Sequence, residues 1–147
     1  MKIRKVHSGD RVEWLRMRAL LWPGSDTDHR EEIERFFLDS ADVEEVLVLQ
    51  REGSGLGGFI ELSIRKYAEG SSFSQVPYVE GWFVDEDLRE TGFGRLLVQA
   101  AEKWAEEKGF RELASDTQIE NEVSIAAHRA LGFRETERII CFLKKLF

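Results

Sequence analysis

One cysteine, two prolines and three histidines are all that the 147 residues offer of the side chains that staple, break or metallate a fold. A lone Cys141 admits no intramolecular disulfide and no cysteine-based zinc cluster. His7, His29 and His128 are scattered without ligand spacing, so no metal site is expected. No apolar run approaches the roughly 20 residues that span a bilayer. The opening MKIRKVHSGDRVEW has basic residues with no apolar stretch behind them, so neither a membrane anchor nor a secretory leader is expected, and the cytoplasm is the expected compartment. Positive charge is also short: 21 Lys+Arg stand against 28 Asp+Glu, a net charge of −7. That argues against nucleic acid, whose phosphates want a basic face. It suits a cationic small molecule or a cationic segment of a partner, or nothing more than solubility. With 42% hydrophobic and 33% charged residues the chain is neither disordered nor fibrous, and a single domain over residues 1–147 is expected.

Hydrophobic periodicity predicts a mixed α/β chain. Lys2 to Val6 alternates like a short strand. Asp10 and Glu13 resemble a capping box, with Val12, Leu15, Met17, Leu20 and Leu21 on one helical face until Pro23-Gly24-Ser25. Asp28 to Leu38 reads as a second helix, with Ile33, Phe36 and Phe37 inward. Glu44 to Gln50 and Leu56 to Ile64 read as an antiparallel hairpin about Glu52-Gly53-Ser54-Gly55. A polar loop, Ser71 to Gln75, precedes a strand from Val76 to Val84. Leu96, Leu97, Ala100, Ala101 and Trp104 then mark the buried face of a helix that begins near Gly92 and ends at Gly109. Glu112 to Ser115 is a strand, Asn121 to Ala130 a helix, and Glu137 to Leu143 the expected last strand. The order β-α-α-β-β-β-α-β-α-β describes helices packed against one twisted, mostly antiparallel sheet. Trp14 and Trp104 are assigned to helix packing, and Cys141 to a packed thiol within the apolar last strand.

The segment richest in chemistry is Val84 to Leu97, VDEDLRETGFGRLL. Glycines between a strand and an amphipathic helix let backbone pass close to a ligand. The helix N-terminus offers free N–H groups at the positive end of its dipole, which suits a pyrophosphate. A glycine-rich turn without a ligand is the alternative. The Gly-Lys-[Ser/Thr] ending of a Walker loop is missing, as is the third spaced glycine of a dinucleotide fingerprint.

Arg89-x-x-Gly92-x-Gly94 after such a strand resembles the coenzyme A pyrophosphate loop of the GNAT superfamily of N-acetyltransferases, whose element order is also the one above. Asn121-x-x-Ser124-x-x-x-His128-x-x-x-Gly132-Phe133 is similar to the following GNAT block, in which the asparagine contacts the pantetheine arm and a tyrosine often protonates the leaving thiolate; here His128 stands in the tyrosine position. Leu20-Leu21-Trp22, Tyr78-Val79-Glu80-Gly81, Ala114-Ser115-Asp116-Thr117 and His128 to Glu137 resemble the aminoglycoside 6'-N-acetyltransferases within the superfamily. The resemblance implies acetyl-CoA as co-substrate, held by Trp82, Phe83, Val84, the loop Arg89, Glu90, Thr91, Gly92, Phe93, Gly94, Arg95, and by Asn121 and His128. It implies an aminoglycoside contacted by Trp22, Tyr67, Glu80, Asp116 and Glu137, with a loop near Tyr67 lengthened by residues such as Ser71-Ser72. It also implies a homodimer paired through the C-terminal strand, where Ile139, Ile140, Phe142 and Phe147 cover the interface or else complete the monomer core.

Elementary chemistry fits these roles. A rigid polycation rich in hydroxyls calls for carboxylates and a flat aromatic wall, supplied by Glu80, Asp116, Glu137 and Trp22. An amine with a pKa near 10.4 is neutral in roughly one molecule in a few thousand at pH 7. It must lose a proton before or during attack, and Glu80 is the first candidate base, Asp116 the second. Asp116 also reads as a turn or capping aspartate, Glu137 as a surface charge, and His128 as a helix-face packing residue. A backbone N–H near Phe83 or Val84 is placed to stabilise an oxyanion, and direct attack in a ternary complex is expected. Three functions remain open on the residues: an aminoglycoside 6'-N-acetyltransferase, a GNAT enzyme acting on a polyamine, peptide or protein amine, and a non-catalytic acetyl-CoA-binding module.

Overall fold

The structure, a computed structural model, describes residues 1–147. Strand β1 (Lys2–Lys5) leads into a tight turn in which Asp10 accepts from the His7 N–H at 2.9 Å and the His7 ring accepts from Gly9 N–H. This reciprocal cap belongs to the short turn Ser8–Asp10, and α1 (Arg11–Leu21) follows it without a side-chain cap. The expected Asp10–Glu13 box does not form, because Asp10 is taken by His7 and Arg4 while Glu13 accepts from Arg16 and from Leu56 N–H. Ser25 caps α2 (Asp26–Phe37) by accepting from Asp28 N–H, while Asp26 and Asp28 lie at the positive end of the helix dipole. Then follow β2 (Val43–Gln50), β3 (Leu56–Arg65), β4 (Val76–Val84), α3 (Phe93–Glu107), β5 (Ala114–Ser115) and α4 (Glu122–Ala130). The sheet runs β1-β2-β3-β4-β5, antiparallel throughout except for the parallel β4–β5 pair.

Both faces of the sheet are covered, which is why β2 and β3 read as nearly continuous apolar runs. On one face α1 and α2 bring Trp14, Met17 and Ile33 against Val46, Val48, Phe59 and Phe83. On the other, α3 brings Leu97, Val98, Ala101 and Trp104 against Leu47, Leu49, Ile60, Leu62 and Val79. Trp14 and Trp104 pack as expected. Val12 and Leu20 do not: they are 79% and 59% exposed, because the inner face of α1 is made by Trp14, Met17 and Arg18. Leu96 likewise turns outward and Val98 takes the inner position.

The expected strand Glu137–Leu143 is not formed. Residues 134–147 carry no regular structure, and Ile139, Ile140, Phe142 and Leu143 are exposed, as is Cys141, which is therefore no packed thiol. A strand exists only by pairing, and within one chain the tail finds no partner: β5 contributes only two ladder positions, both to β4.

One irregularity sets up everything that follows. Glu61 pairs with Gly81 and Leu62 with Val79, so Glu80 is the extra residue of a β-bulge. The period of two is broken there, and Glu80 comes to the same sheet face as Ser63 and Arg65, beside Gly81 rather than opposite to it.

Charged side chains stitch the ends of the elements. Buried Asp85, just after β4, accepts from Arg16 of α1 at 2.9 and 3.0 Å and from Arg51 after β2 at 3.0 Å. Asp10 is held by Arg4 at 2.7 and 3.0 Å. Burial pushes both carboxyls upward, but the hydrogen bonds from these guanidiniums outweigh it and leave both below the usual range. With folded pKa values below the unfolded value of about 3.9, this stabilisation is complete above about pH 4 and is lost as pH falls through the folded values. Urea unfolding is expected to give a plateau above about pH 5 and a steep loss below about pH 4; constant stability down to about pH 2 would contradict it.

Candidate active site

The bulge residue Glu80 lies at the centre of a polar cluster on the α1/α2 face. Its Oε1 accepts from Ser63 Oγ at 2.9 Å and Arg65 Nε at 2.7 Å, and its Oε2 from Arg65 Nη2 at 2.6 Å. The Arg65 guanidinium stacks over the Tyr78 ring at 3.6 Å. Tyr78 in turn donates its hydroxyl to Asp116 Oδ2 at 2.7 Å. Burial and the bond to Asp116 push the Tyr78 phenol well above its ordinary value, and the Glu80 hydrogen bonds raise Arg65, so the first stays neutral and the second charged. Two carboxylates thus stand near one another with one resident cation between them.

Trp22, the residue that closes α1, brings Cη2 and Cζ2 of its indole against Gly81. A Cβ at position 81 would stand 2.4 Å from the indole, so only glycine leaves room for it. The indole is held from behind. His29 stacks on it with its ring 6.4 Å away and Nε2–H donating to the Trp22 carbonyl at 2.8 Å, and the Arg18 guanidinium lies over it at 4.9 Å. Arg18 is itself buried, donating to His29 Nδ1 at 3.2 Å and to both oxygens of Glu61 at 2.5 and 2.6 Å; Trp14 Nε1 adds a further bond to Glu61 at 3.2 Å. Burial pushes the Glu61 carboxyl upward against the pull of Arg18.

Beyond Val79 the β4 edge is open, because β5 pairs only at Tyr78–Ala114 and Val79–Ser115. Asp85 N–H donates to Gly57 at 2.8 Å, so by ladder alternation Phe83 faces β3, whereas the N–H and C=O of Val84 face the open edge. The Val84 carbonyl accepts there from Arg89 Nε at 2.9 Å. Of the two expected oxyanion donors the geometry therefore leaves Val84, and Phe83 serves the ladder and the core.

The loop from Arg89 to Gly94 has the shape of an anion cradle. Glu90 (φ 61) and Gly92 (φ 93) take left-handed conformations that curl the backbone. Thr91 Oγ1 donates to the Leu88 carbonyl and fixes the curl. No side chain caps α3, so its first-turn N–H groups are left for a negatively charged ligand. Gly94 lies on Trp82, where a Cβ would meet the indole at 3.2 Å. The Trp82 Nε1–H is buried without a partner. An orphaned donor beneath an uncapped helix start fits a bound phosphate-bearing cofactor such as coenzyme A.

On the far side of the opening, Asn121 caps α4 by accepting from Ser124 N–H at 3.1 Å. His128 is half-buried, edge-on to Trp82 at 5.4 Å and near Phe133 at 5.1 Å. Its Nδ1 bonds the Ser124 carbonyl at 2.7 Å, which places the hydrogen on Nδ1 and leaves Nε2 to accept from Ser115 Oγ at 2.8 Å. The ring packs against Trp82 and Phe133 and is held at both nitrogens.

A cleft of about 830 Å³ runs between β5 and the tail, lined by Arg65, Tyr78, Asp116, His128 and Glu137 among others. It joins Asp116 and Glu137 from the expected acceptor set, with Glu80 attached through Arg65. Tyr67 stands apart, 65% exposed on the loop after β3 and without a hydrogen bond. From sequence, Tyr78 stands out only within the Tyr78-Val79-Glu80-Gly81 motif, and Ser63 and Arg65 not at all. Their signal was present in β3, where Glu61, Ser63 and Arg65 form a polar stripe of period two through an apolar strand.

An open strand edge faces an uncapped, glycine-built helix start, and a model of the acetyltransferase (GNAT) family matches residues 10–133. The chain belongs to that family. Among similar proteins, the aminoglycoside N(6')-acetyltransferase type 1 of Klebsiella aerogenes is 42% identical over 147 residues, covering 98% of this chain and 96% of the relative. The apo crystal structure of the aminoglycoside 6'-N-acetyltransferase AAC(6')-IG from Acinetobacter haemolyticus superposes with a TM-score of 0.91 at 32% identity, covering 100% of both chains. That of AAC(6')-Iy, in complex with the bisubstrate analogue CoA-S-monomethyl-acetylneamine, gives 0.89 at 37% identity, covering 98% of this chain and 97% of the other.

Proposed function

We infer that this protein is an aminoglycoside 6'-N-acetyltransferase, moving the acetyl group of acetyl-CoA to the 6'-amine of kanamycin- and tobramycin-class antibiotics and so conferring resistance to them. The observation that carries this reading is the end-to-end likeness to AAC(6')-Iy, which binds a single molecule combining coenzyme A with an acetylated aminoglycoside fragment. It is supported by a cleft that holds Asp116 and Glu137 and is linked to the side of the glycine-rich cradle through His128, which packs edge-on to Trp82 beneath Gly94.

Acetyl-CoA supplies an activated thioester when bound. The Arg89–Arg95 backbone would hold its pyrophosphate, Asn121 and the His128–Trp82 pair would line its arm, and Val84 N–H would hold the thioester carbonyl. On the acceptor side Trp22 presents a flat wall for a sugar ring, and Glu80, Asp116 and Glu137 attract ammonium groups. Carboxylates that bind an ammonium also favour its charged form. Glu80, with Asp116 as the second candidate, takes the proton, directly or through a water, as the amine bonds to the acetyl carbon; the C–S bond breaks and coenzyme A leaves as the thiolate. No acyl-enzyme is needed for direct attack: Cys141, on the exposed tail, reaches the rim of the acceptor cleft but shares no hydrogen bond with Glu80 or Asp116.

Thiol release from acetyl-CoA with kanamycin or tobramycin, with spermidine as comparison, tests the assignment. Turnover confined to spermidine would move the acceptor to a polyamine.

The protein is further proposed to be one acetyltransferase domain over residues 1–147, to act in the cytoplasm, where acetyl-CoA is made, and to form a homodimer. The exposed tail supports the dimer: Ile139, Ile140, Phe142, Leu143, Leu146 and Phe147 are all more than 60% exposed and lack a strand partner that a second copy would supply. Light scattering is expected to give a dimer at micromolar concentration, converted to a monomer by Phe142→Asp; a wild-type monomer would contradict it. No helix is long and apolar enough to cross a membrane.

A further inference from the structure

We propose that Arg65 is a resident cation which an acceptor must displace from Glu80, and that this exchange selects acceptors bearing two or more ammonium groups over monoamines. The inference rests on the acceptor reading above and names what that site discriminates.

Both oxygens of Glu80 are taken by Arg65, in a fork of 2.7 and 2.6 Å that occupies the carboxylate as an ammonium ligand would. The guanidinium also covers the Tyr78 ring at 3.6 Å, and Tyr78 is bonded to Asp116, so one side chain spans the space between the two carboxylates. Its position permits it to leave. Arg65 is the last residue of β3, 42% exposed, and its guanidinium donates to no backbone carbonyl. Water can therefore take over the guanidinium's contacts as it swings out, and the arriving ammonium replaces the cation that Glu80 gives up, so the fork is exchanged rather than simply broken. Glu80, at 24% exposure, is the more enclosed partner and stays behind as the anion.

Charge arithmetic then sets the specificity. A monoamine that replaces Arg65 exchanges one cation for another at Glu80 and gains little. A polyamine that reaches Glu80 and Asp116 together gains a pair that Arg65 does not satisfy, since Asp116 receives only the neutral Tyr78 hydroxyl. Displacement also frees Glu80 to accept the proton from the attacking amine, so the base is released only when an acceptor arrives.

The test reads binding without turnover. Calorimetry with methylguanidinium as probe is expected to show at least about tenfold tighter binding to Arg65→Ala than to wild type, on the scale of one charge-assisted hydrogen-bonded contact. That gain is lost in Arg65→Ala combined with Glu80→Gln. Arg65→Gln is expected to behave like Arg65→Ala, and Arg65→Lys like wild type. In turnover, the kcat/KM preference for kanamycin over 6-amino-6-deoxyglucose, a sugar with one amine, is expected to narrow about tenfold in Arg65→Gln. Methylguanidinium binding equal in Arg65→Ala, Arg65→Gln and wild type would overturn the proposal, as would weaker kanamycin binding in both variants. A wild type that fails to acetylate kanamycin while the methylguanidinium result holds would overturn the acceptor reading and leave Arg65 a displaceable cation.

Discussion

Glu80→Gln is expected to lower kcat by about 100- to 1000-fold, within the usual range for loss of a general base, while acetyl-CoA binds as in wild type. The substitution keeps the shape of the side chain and the Oε1 acceptor toward Ser63 Oγ and Arg65 Nε, yet removes the charge, the basic oxygen and the acceptor for Arg65 Nη2. The cradle of Arg89 to Gly94 is built from α3, β4 and Leu88 and shares no hydrogen bond with Glu80, so the two ligands should separate cleanly. Asp116→Asn should lose less in kcat and more in KM, because Asp116 is exposed and its bond to Tyr78 survives as a neutral one. Steady-state kinetics with tobramycin and equilibrium binding of acetyl-CoA measure both. An unchanged kcat in Glu80→Gln would remove Glu80 as base and leave it an ammonium anchor. Lost acetyl-CoA binding in a folded Glu80→Gln protein would show that the two halves of the site are coupled.

Arg18→Met is expected to destabilise the protein by about 3–5 kcal/mol, the cost of leaving a buried charge without its partner. Glu61 is 2% exposed and would keep only the Trp14 indole N–H. For a chain of this size that is a fall in melting temperature on the order of 10 °C. Adding Glu61→Leu should recover most of the loss, since a packed apolar pair avoids the desolvation that the ion pair must offset. The same arginine supports Trp22 through His29 and its own guanidinium. The double variant should therefore be stable and still show a raised KM for the aminoglycoside at nearly normal kcat. Urea unfolding and kinetics on the single and double variants read the two effects apart. A single variant within about 1 kcal/mol of wild type would contradict the assignment of this pair as a committed part of the core.

Why the site was only partly legible in sequence follows from where its information lies. Local signals place the helices but not their caps: the glycines before α3 read as its start, whereas Ser25, which reads as a stop, caps an α2 that begins at Asp26, and Asp10 pairs with His7 rather than Glu13. The two-layer core is readable from apolar runs, although Val12, Leu20 and Leu96 show that an apolar residue at helical spacing need not face inward when Trp14, Met17 and Val98 fill the contact better. Pairing is not local. The bulge at Glu80 exists only in the register between β3 and β4, and it alone brings Glu80 beside Ser63 and Arg65. Strand formation by the tail has the same limit: apolar alternation from Ile139 to Leu143 states a preference, but hydrogen-bonding partners decide it, and one chain does not supply them. The family resemblance is what proposes Glu80, Asp116 and the Arg89–Gly94 loop for the site. The polar stripe of β3 and the buried support of Trp22 emerge only from the folded arrangement.

The most direct measurement is the position of the acetyl group on the product. Purified enzyme, acetyl-CoA and kanamycin should release one equivalent of free thiol, and mass spectrometry with NMR should place a single acetyl on the 6'-nitrogen. Turnover with spermidine should be small. An acetyl on another ring nitrogen would contradict the acceptor orientation set by Trp22 and Glu80, and no thiol release with any aminoglycoside would contradict the assigned activity itself.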